Sequence, residues 1–310
     1  MKGLCYIGEP TPVLRTDLPI PEPQKGESLI KITFAAICST DREVLAGYKP
    51  DFRGVMGHEF VGVVEKSEDA SLVGARVVGE LNAGCGECIY CRTGRENHCI
   101  HRRVIGLNEK DGCFAEYMTL RTDLLHRVPD DLPDEVAIFT EPLAAALEIP
   151  DKVHVRPSEP VAVVGDGRLA LMIAQVLSLT GAEVVVAGKH PEKLERFKPF
   201  ARTEMGEDET FELVVDASGS PSGFETARKL VRHRGKLVLK STFAEKTPMN
   251  LADFVVNEVT LIGSRCGPFE PALRLLKRGL VTLPPIELYP MEEWDAAFKS
   301  RAFKSGFRMK

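Results

Sequence analysis

Val161-Ala162-Val163-Val164-Gly165-Asp166-Gly167-Arg168-Leu169-Ala170 is the stretch on which the fold turns. Four consecutive apolar residues, three of them β-branched, predict a strand buried on both faces, the kind that fills parallel sheets. The apolar face of Leu169 to Leu179 predicts the helix that follows. Gly165-x-Gly167-x-x-Ala170 between them is the G-x-G-x-x-A form of the dinucleotide-binding fingerprint. Gly165 makes the turn and Gly167 lets the backbone approach a pyrophosphate. Arg168 and Leu169 open the helix on whose amino end that group sits. The alternative is a glycine-rich turn without a ligand, and the strand–turn–helix setting weighs against it.

Outward from this point the chain alternates. Val184 to Ala187 predicts a second strand, Pro191 to Phe200 a helix, Phe211 to Asp216 a strand and Phe224 to Arg232 a helix. Gly235 to Lys240 and Val259 to Gly263 predict two more strands, and Pro268 to Arg278 a helix. Such alternation is the mark of an α/β, parallel, doubly wound sheet. Between Phe200 and Phe211 the chain is short for such a fold, so one crossover helix is expected to be trimmed. The chain up to about Val128 differs. Leu29 to Phe34 alternates in part, while Phe60 to Glu65 and Ala75 to Gly79 are short valine-rich runs bounded by glycine. This pattern predicts a closed, barrel-like β domain. The change comes near residue 140, with Pro142 expected at the first position of a helix that includes Leu143 to Leu147. The expected domains are 1–145, completed by 280–310, and 146–279.

Composition narrows the function classes. The 310 residues carry 40 Lys and Arg against 45 Asp and Glu, a net charge of −5. That is no nucleic-acid footprint. The basic cluster near the end (Lys299, Arg301, Lys304, Arg308, Lys310) reads as a solvated face. Met1 to Arg15 holds two prolines and no long apolar core, unlike a secretory signal. No apolar stretch is long enough for a bilayer, so no membrane partner and a cytoplasmic location are expected.

Four of the eight cysteines crowd into Cys85, Cys88, Cys91 and Cys99. Each C-x-x-C step can place two sulfurs on one tetrahedral ion, and four thiolates leave no position for a substrate, which predicts a structural zinc. An iron–sulfur cluster and unbound thiols are the alternatives. A second group is dispersed: Cys38-Ser39-Thr40-Asp41, Gly57-His58-Glu59 and Thr140-Glu141-Pro142-Leu143. Singly, Cys38 could be a small buried residue, His58 a satisfied core histidine and Glu141 a helix cap.

Taken together and in order, with the cysteine lobe and the fingerprint after them, these motifs resemble the zinc-containing medium-chain dehydrogenase/reductases over essentially the whole chain. The resemblance implies a chaperonin-10-like catalytic domain and a second, catalytic zinc held by Cys38 and His58. Glu59 is the adjacent acid, near the metal or behind it. Glu141 stands at the third ligand position, as in the polyol and sugar dehydrogenase branches. Asp41 would orient His58, and Thr40 would take the alcohol proton. Glu43 stands where several relatives have a histidine that completes the relay. Val215-Asp216-Ala217-Ser218-Gly219 resembles the loop beneath the cofactor, and Leu261-Ile262-Gly263-Ser264-Arg265 the strand flanking the nicotinamide.

At the end of the second strand an acid normally holds the adenosine ribose. Here Gly188-Lys189-His190 follows Ala187, and two potential cations favour a 2′-phosphate, hence NADP with NAD as the alternative. They could also be solvated loop residues. The expectation is hydride transfer between an alcohol (a secondary alcohol, polyol or sugar) or its carbonyl and NADP(H) or NAD(H), in a homodimer or homotetramer. Its rivals are a reductase of activated double bonds and a zinc-stabilised NADPH-binding protein without turnover.

Overall fold

The apolar runs around the fingerprint pair as one sheet in the computed structural model, which describes residues 1–206, 208–242 and 247–309. Its strands, all parallel, lie in the order Val184–Ala187, Val161–Val164, Phe211–Asp216, Val231–Leu239 and Thr260–Gly263. Val161–Val164 is buried along its whole length, as a strand covered on both faces must be. Helix Arg168–Ser178 follows it and buries Ala170 through Leu177. A core of Ala162, Val164, Val185, Phe211, Val214, Phe224, Ala227 and Leu237 joins this sheet to helix Pro221–Leu230.

The trimmed crossover has a definite form. Between the second strand and Phe211, among the described residues, only Pro191–Leu194 is helical, with Pro191 at its start, so the expected helix to Phe200 ends six residues early. Phe197 is fully buried and anchors the turns that follow. Arg202 then makes a one-residue parallel bridge to Val185. Its N–H donates to Val184 O, and Val186 N–H donates to Arg202 O, both at 2.8 Å. A single residue thus stands on the outer side of the second strand.

Other boundaries moved for local reasons. Helix Pro221–Leu230 starts three residues before Phe224, because Ser220 Oγ accepts the Gly223 N–H and Pro221 suits the first turn. The expected helical Val231 and Arg232 instead begin strand Val231–Leu239. Helix Thr140–Lys152 starts two residues before Pro142. Pro142 still lies in the first turn, where a missing N–H breaks no helical bond. Helix Leu251–Val256, capped by Asn250, was not expected.

The chain divides into two compact units, Pro142–Pro271 and the remainder, Met1–Glu141 with Ala272–Lys310. The centre of the latter is strand Glu27–Ala36, ten residues long and buried except around Lys31 and Thr33. Glu59–Lys66 pairs along one side of it. Tyr117–Arg121 and Lys304–Arg308 share the other side, on its first and second halves. Arg76–Gly79 and Leu125–Arg127 extend the sheet beyond Glu59–Lys66, and Ile286–Tyr289 beyond Lys304–Arg308. Among the described residues, no helix is long and apolar enough to cross a membrane.

Candidate metal centres and dinucleotide site

Strand Glu27–Ala36 delivers Cys38 to the start of helix Ser39–Leu45. Asp41, fully buried in the first turn, uses its two carboxylate oxygens differently. Oδ2 accepts the Cys38 backbone N–H at 2.7 Å. Oδ1 faces His58 Nδ1 at 3.5 Å. One aspartate therefore ties down both the turn that carries the thiol and the imidazole. Thr40 Oγ1 lies 3.7 Å from Cys38 Sγ.

His58 and Glu59 arrive at the head of strand Glu59–Lys66, through Gly57 at φ +89°. A Cβ on Gly57 would lie 2.3 Å from the Phe114 ring, so neither the backbone angle nor the space admits a side chain. The ligating atoms of Cys38, His58 and Glu59 all lie within 4.8 Å of one another. Glu141 is not in this group; it sits in the first turn of helix Thr140–Lys152.

The group fits a cation. His58 Nδ1, Asp41 Oδ1 and both Glu59 carboxylate oxygens are buried without a hydrogen-bond partner. Buried polar atoms outside hydrogen bonds are costly, and a thiol, an imidazole and carboxylates so close together are a donor set that suits a cation. Burial alone would lower the His58 pKa, but the Asp41 charge and then the Cys38 thiol carry it well above its ordinary value. The surroundings thus draw positive charge to the site.

One cation is already there. Lys304 Nζ makes an ion pair with Glu59 Oε2, outside hydrogen-bond alignment, and the two side chains are 3% and 0% exposed. Lys304 was expected on a solvated basic face. Strand Lys304–Arg308 instead buries residues 304 to 307, while Arg301 and Arg308 remain exposed. Lys310 lies outside the described residues. Cys113 also borders the site: its buried Sγ lies 3.4 Å from Glu59 O, and burial, with Asp41 and Glu59 adding, pushes its thiol well up.

The four-cysteine lobe is assembled. Cys88 Sγ lies 3.5 Å from Cys91 Sγ and 3.7 Å from Cys99 Sγ, and Cys99 Sγ lies 3.5 Å from Cys85 Sγ. A disulfide would need about 2.05 Å. Zn–S bonds of about 2.3 Å at tetrahedral angles put sulfurs roughly 3.8 Å apart, close to what is seen. Backbone N–H groups of Cys88 and His101 point at Cys85 Sγ and Cys99 Sγ. The Cys91 backbone N–H, its largest influence, helps bring the Cys88 thiol down to about 6.

The other unit gathers its candidates at the carboxyl ends of its sheet strands, where α/β folds bind nucleotides. Gly165, at φ +126°, packs so closely that a Cβ would lie 2.7 Å from Ala217 O. Nothing lies within 4 Å of a Cβ on Gly167, an open cradle for a phosphate. Arg168 and Leu169 open the helix, and Gly188, Lys189 and His190 follow the second strand. The Ser218 hydroxyl donates to Asp216 Oδ1 at 2.6 Å, in a pocket where burial holds the Asp216 carboxyl above its usual range. Arg265 follows the last strand, and its carbonyl accepts from buried Lys240, which also donates to Ser264 Oγ at 2.9 Å.

Sequence patterns passed over Asp166, Lys240 and Lys304. Asp166 stands at an unspecified position of the fingerprint, and Lys240 and Lys304 are lysines whose burial no local pattern announces.

Comparison with known proteins agrees with this architecture. Residues 24–130 match the family model described as alcohol dehydrogenase GroES-like domain, and residues 169–278 that described as zinc-binding dehydrogenase. Sorbitol dehydrogenase of Halalkalibacterium halodurans is 30% identical over 94% of this chain and 92% of its own length. Alcohol dehydrogenase TADH from Thermus sp. ATN1 superposes with a TM-score of 0.88 at 26% identity, covering 100% of both chains. A zinc-binding dehydrogenase structure from Sinorhizobium meliloti 1021, bound to NADP, gives 0.87 at 25% identity over 99% of each chain. With both family matches in sequence order and a relative this similar over nearly its full length, the chain belongs to the zinc-containing medium-chain dehydrogenase/reductase family of nicotinamide-dependent oxidoreductases.

Proposed function

We propose that the chain is a zinc-dependent dehydrogenase that moves hydride between a secondary alcohol, polyol or sugar and NADP(H) or NAD(H). The observation that carries it is the convergence of the Cys38, His58 and Glu59 ligating atoms within 4.8 Å of one another, beside the buried Asp41 carboxylate. Cys38 and His58 would hold the catalytic zinc, with Glu59 or Glu141 completing the set and a position left for substrate. Cys85, Cys88, Cys91 and Cys99 would hold a structural one. When bound, the metal supplies Lewis acidity at the substrate oxygen and the nicotinamide accepts hydride.

The chain's own residues do the rest. Asp41 fixes the Cys38 turn and the His58 ring, so both ligands keep their direction. Thr40, one helical step from Asp41 and beside Cys38 Sγ, receives the alcohol proton on Oγ1. Glu43, on the same side of helix Ser39–Leu45 as Thr40, takes it onward. Gly165 to Leu169 cradle the pyrophosphate, while Ser218 and Arg265 border the nicotinamide side. Lys189 and His190 beside Gly188 stand where the adenosine ribose of either dinucleotide would lie.

The decisive experiment is a panel of alcohols, polyols and sugars with NAD and NADP, followed by absorbance of the reduced cofactor, alongside zinc analysis. Two zincs per chain and turnover lost in folded Cys38→Ala are expected; turnover that survives Cys38→Ala overturns the reading. One observation favours a second reading: Glu43 stands where a relay histidine is usual. A zinc-stabilised NADPH-binding protein would retain one zinc per chain, bind NADPH and turn over no substrate. We take the assembly to be a homodimer or homotetramer, since edge strand Thr260–Gly263 and the neighbouring Val255 and Val256 are exposed. Sedimentation showing a monomer would refute it.

A further inference from the structure

The ribose-holding acid absent from the end of the second strand has a replacement. Gly188 occupies that strand end, and a Cβ there would lie 2.8 Å from Asp166 Cβ and 3.0 Å from Asp166 Oδ2. The Asp166 side chain, 10% exposed, therefore fills the space into which a side chain at 188 would grow. Its Oδ2 accepts the backbone N–H groups of Lys189 at 2.7 Å and His190 at 2.9 Å. His190 Nδ1 lies 2.9 Å from the same oxygen, and Lys193 Nζ 3.6 Å from Oδ1. Lys189 Nζ turns away, to Ser222 Oγ at 2.8 Å.

Two backbone donors, an imidazole and an ammonium thus surround one carboxylate. Of the two groups that suggested a 2′-phosphate, His190 already faces a carboxylate of the chain's own and the Lys189 ammonium points to Ser222. Burial raises the Asp166 pKa, but His190 and the two N–H groups lower it further, so its carboxyl rests below its ordinary value.

We propose that Asp166 sets this chain's preference between the two nicotinamide dinucleotides. Its carboxylate, carried on the glycine loop instead of the strand end, fills the anion cradle of residues 188–193. There it accepts the adenosine ribose hydroxyls of NAD(H) and opposes the 2′-phosphate of NADP(H). The inference rests on the dinucleotide-binding reading above, and adds that the His190 ring and the Lys193 ammonium already face Asp166, while Lys189 turns to Ser222.

The test is calorimetric binding of NAD and NADP to the full-length protein, with 5′-AMP and 2′,5′-ADP as fragments that need neither zinc nor substrate. Asp166→Asn keeps an oxygen for the two N–H groups and removes the charge; Asp166→Ser removes both. In either variant the ratio of the NADP Kd to the NAD Kd should fall about tenfold, the effect of one like charge at a few ångströms in a half-solvated site. The fragments should follow the same pattern. Lys193→Gln in the Asp166→Asn background should then weaken NADP and leave NAD unchanged. A purely structural role would move both cofactors together, so a ratio within about twofold of wild type overturns the proposal. The wild-type ratio separately tests the NADP assignment. Wild-type protein that binds neither dinucleotide would remove the dinucleotide reading and this proposal with it.

Discussion

Lys304→Met should unfold more easily than any neighbouring surface change would suggest. The ammonium pairs with Glu59 where both side chains are almost wholly excluded from water, and neither Glu59 oxygen accepts a hydrogen bond. Methionine keeps the length of the stem and removes the charge, leaving Glu59 buried and uncompensated. Breaking a buried pair from one side costs about 3–5 kcal/mol. Since neither Glu59 oxygen accepts a hydrogen bond, the upper part of that range is expected. At about 2–4 °C per kcal/mol, the melting temperature should drop by roughly 10 °C or more. Two controls fix the cause. Glu59→Gln combined with Lys304→Met should recover at least half of the loss, because no lone charge remains. Zinc-loaded protein should lose less than zinc-stripped protein, because a metal beside Cys38 and His58 compensates Glu59 in place of Lys304. Thermal and denaturant unfolding of the four species, with and without chelator, gives all the values. A loss under about 1 kcal/mol, or a double variant as unstable as the two single losses added, would refute the ion-pair account.

Asp41→Asn keeps the acceptor for the Cys38 N–H and removes the charge facing His58, so zinc affinity should fall about 10–100-fold in chelator competition; unchanged retention would sink this role. Gly57→Ala forces a Cβ against Phe114 and a left-handed backbone on alanine, and should cost at least about 2 kcal/mol in denaturant unfolding. Cys99→Ser, at the buried corner of the lobe, should remove one of two zincs and open residues 84–102 to protease while the Cys38 site keeps its metal; intact zinc content contradicts it. Burial raises the Glu27 pKa, but Lys110 at 2.8 Å outweighs this, and the net shift is downward. Its contribution to stability is therefore full above the ordinary carboxylate value and lost as pH falls through the lower folded value. Glu27→Gln should flatten the acid limb of the stability curve, and an unchanged limb would refute the assignment.

The cofactor sheet was legible because strands buried on both faces must be apolar throughout. Val161–Val164 and Val184–Ala187 stand out for that reason, and Phe211–Asp216 through Leu213 to Val215 despite Glu212 and Asp216; the observed bounds of all three match the expected ones. Boundaries failed where a local rule was overruled. Val231 to Arg234 carries three basic residues and looks like a helix end, yet Val231 pairs with Phe211 and opens a strand. Helix Leu251–Val256 turns Phe254 onto the core but exposes Leu251, Val255 and Val256, so its apolar residues do not fall on one inward face that a pattern could read. The short motifs of the metal site were legible, but their long-range partner was not. Lys304 lies among exposed basic residues in sequence, and only the pairing of Lys304–Arg308 with Glu27–Ala36 carries it to Glu59.

The buried groups around Cys38 explain one another through charge. Asp41 and Glu59 bring two carboxylates into a site almost closed to water, and Lys304 brings one ammonium. An excess negative charge is left, and the raised pKa of His58 is the response: the imidazole holds its proton because Asp41 and Cys38 favour it. A metal cation would replace that proton. A divalent ion held by Cys38 and His58 would need a thiolate and a neutral imidazole, and its charge would then balance that thiolate, the two carboxylates and the one ammonium. Remove Lys304 and the same set is left with an excess anion; remove Asp41 and it is left with an excess cation. A buried lysine beside the candidate ligands therefore offsets one of the two buried carboxylates, which is why Glu59 can stay charged there.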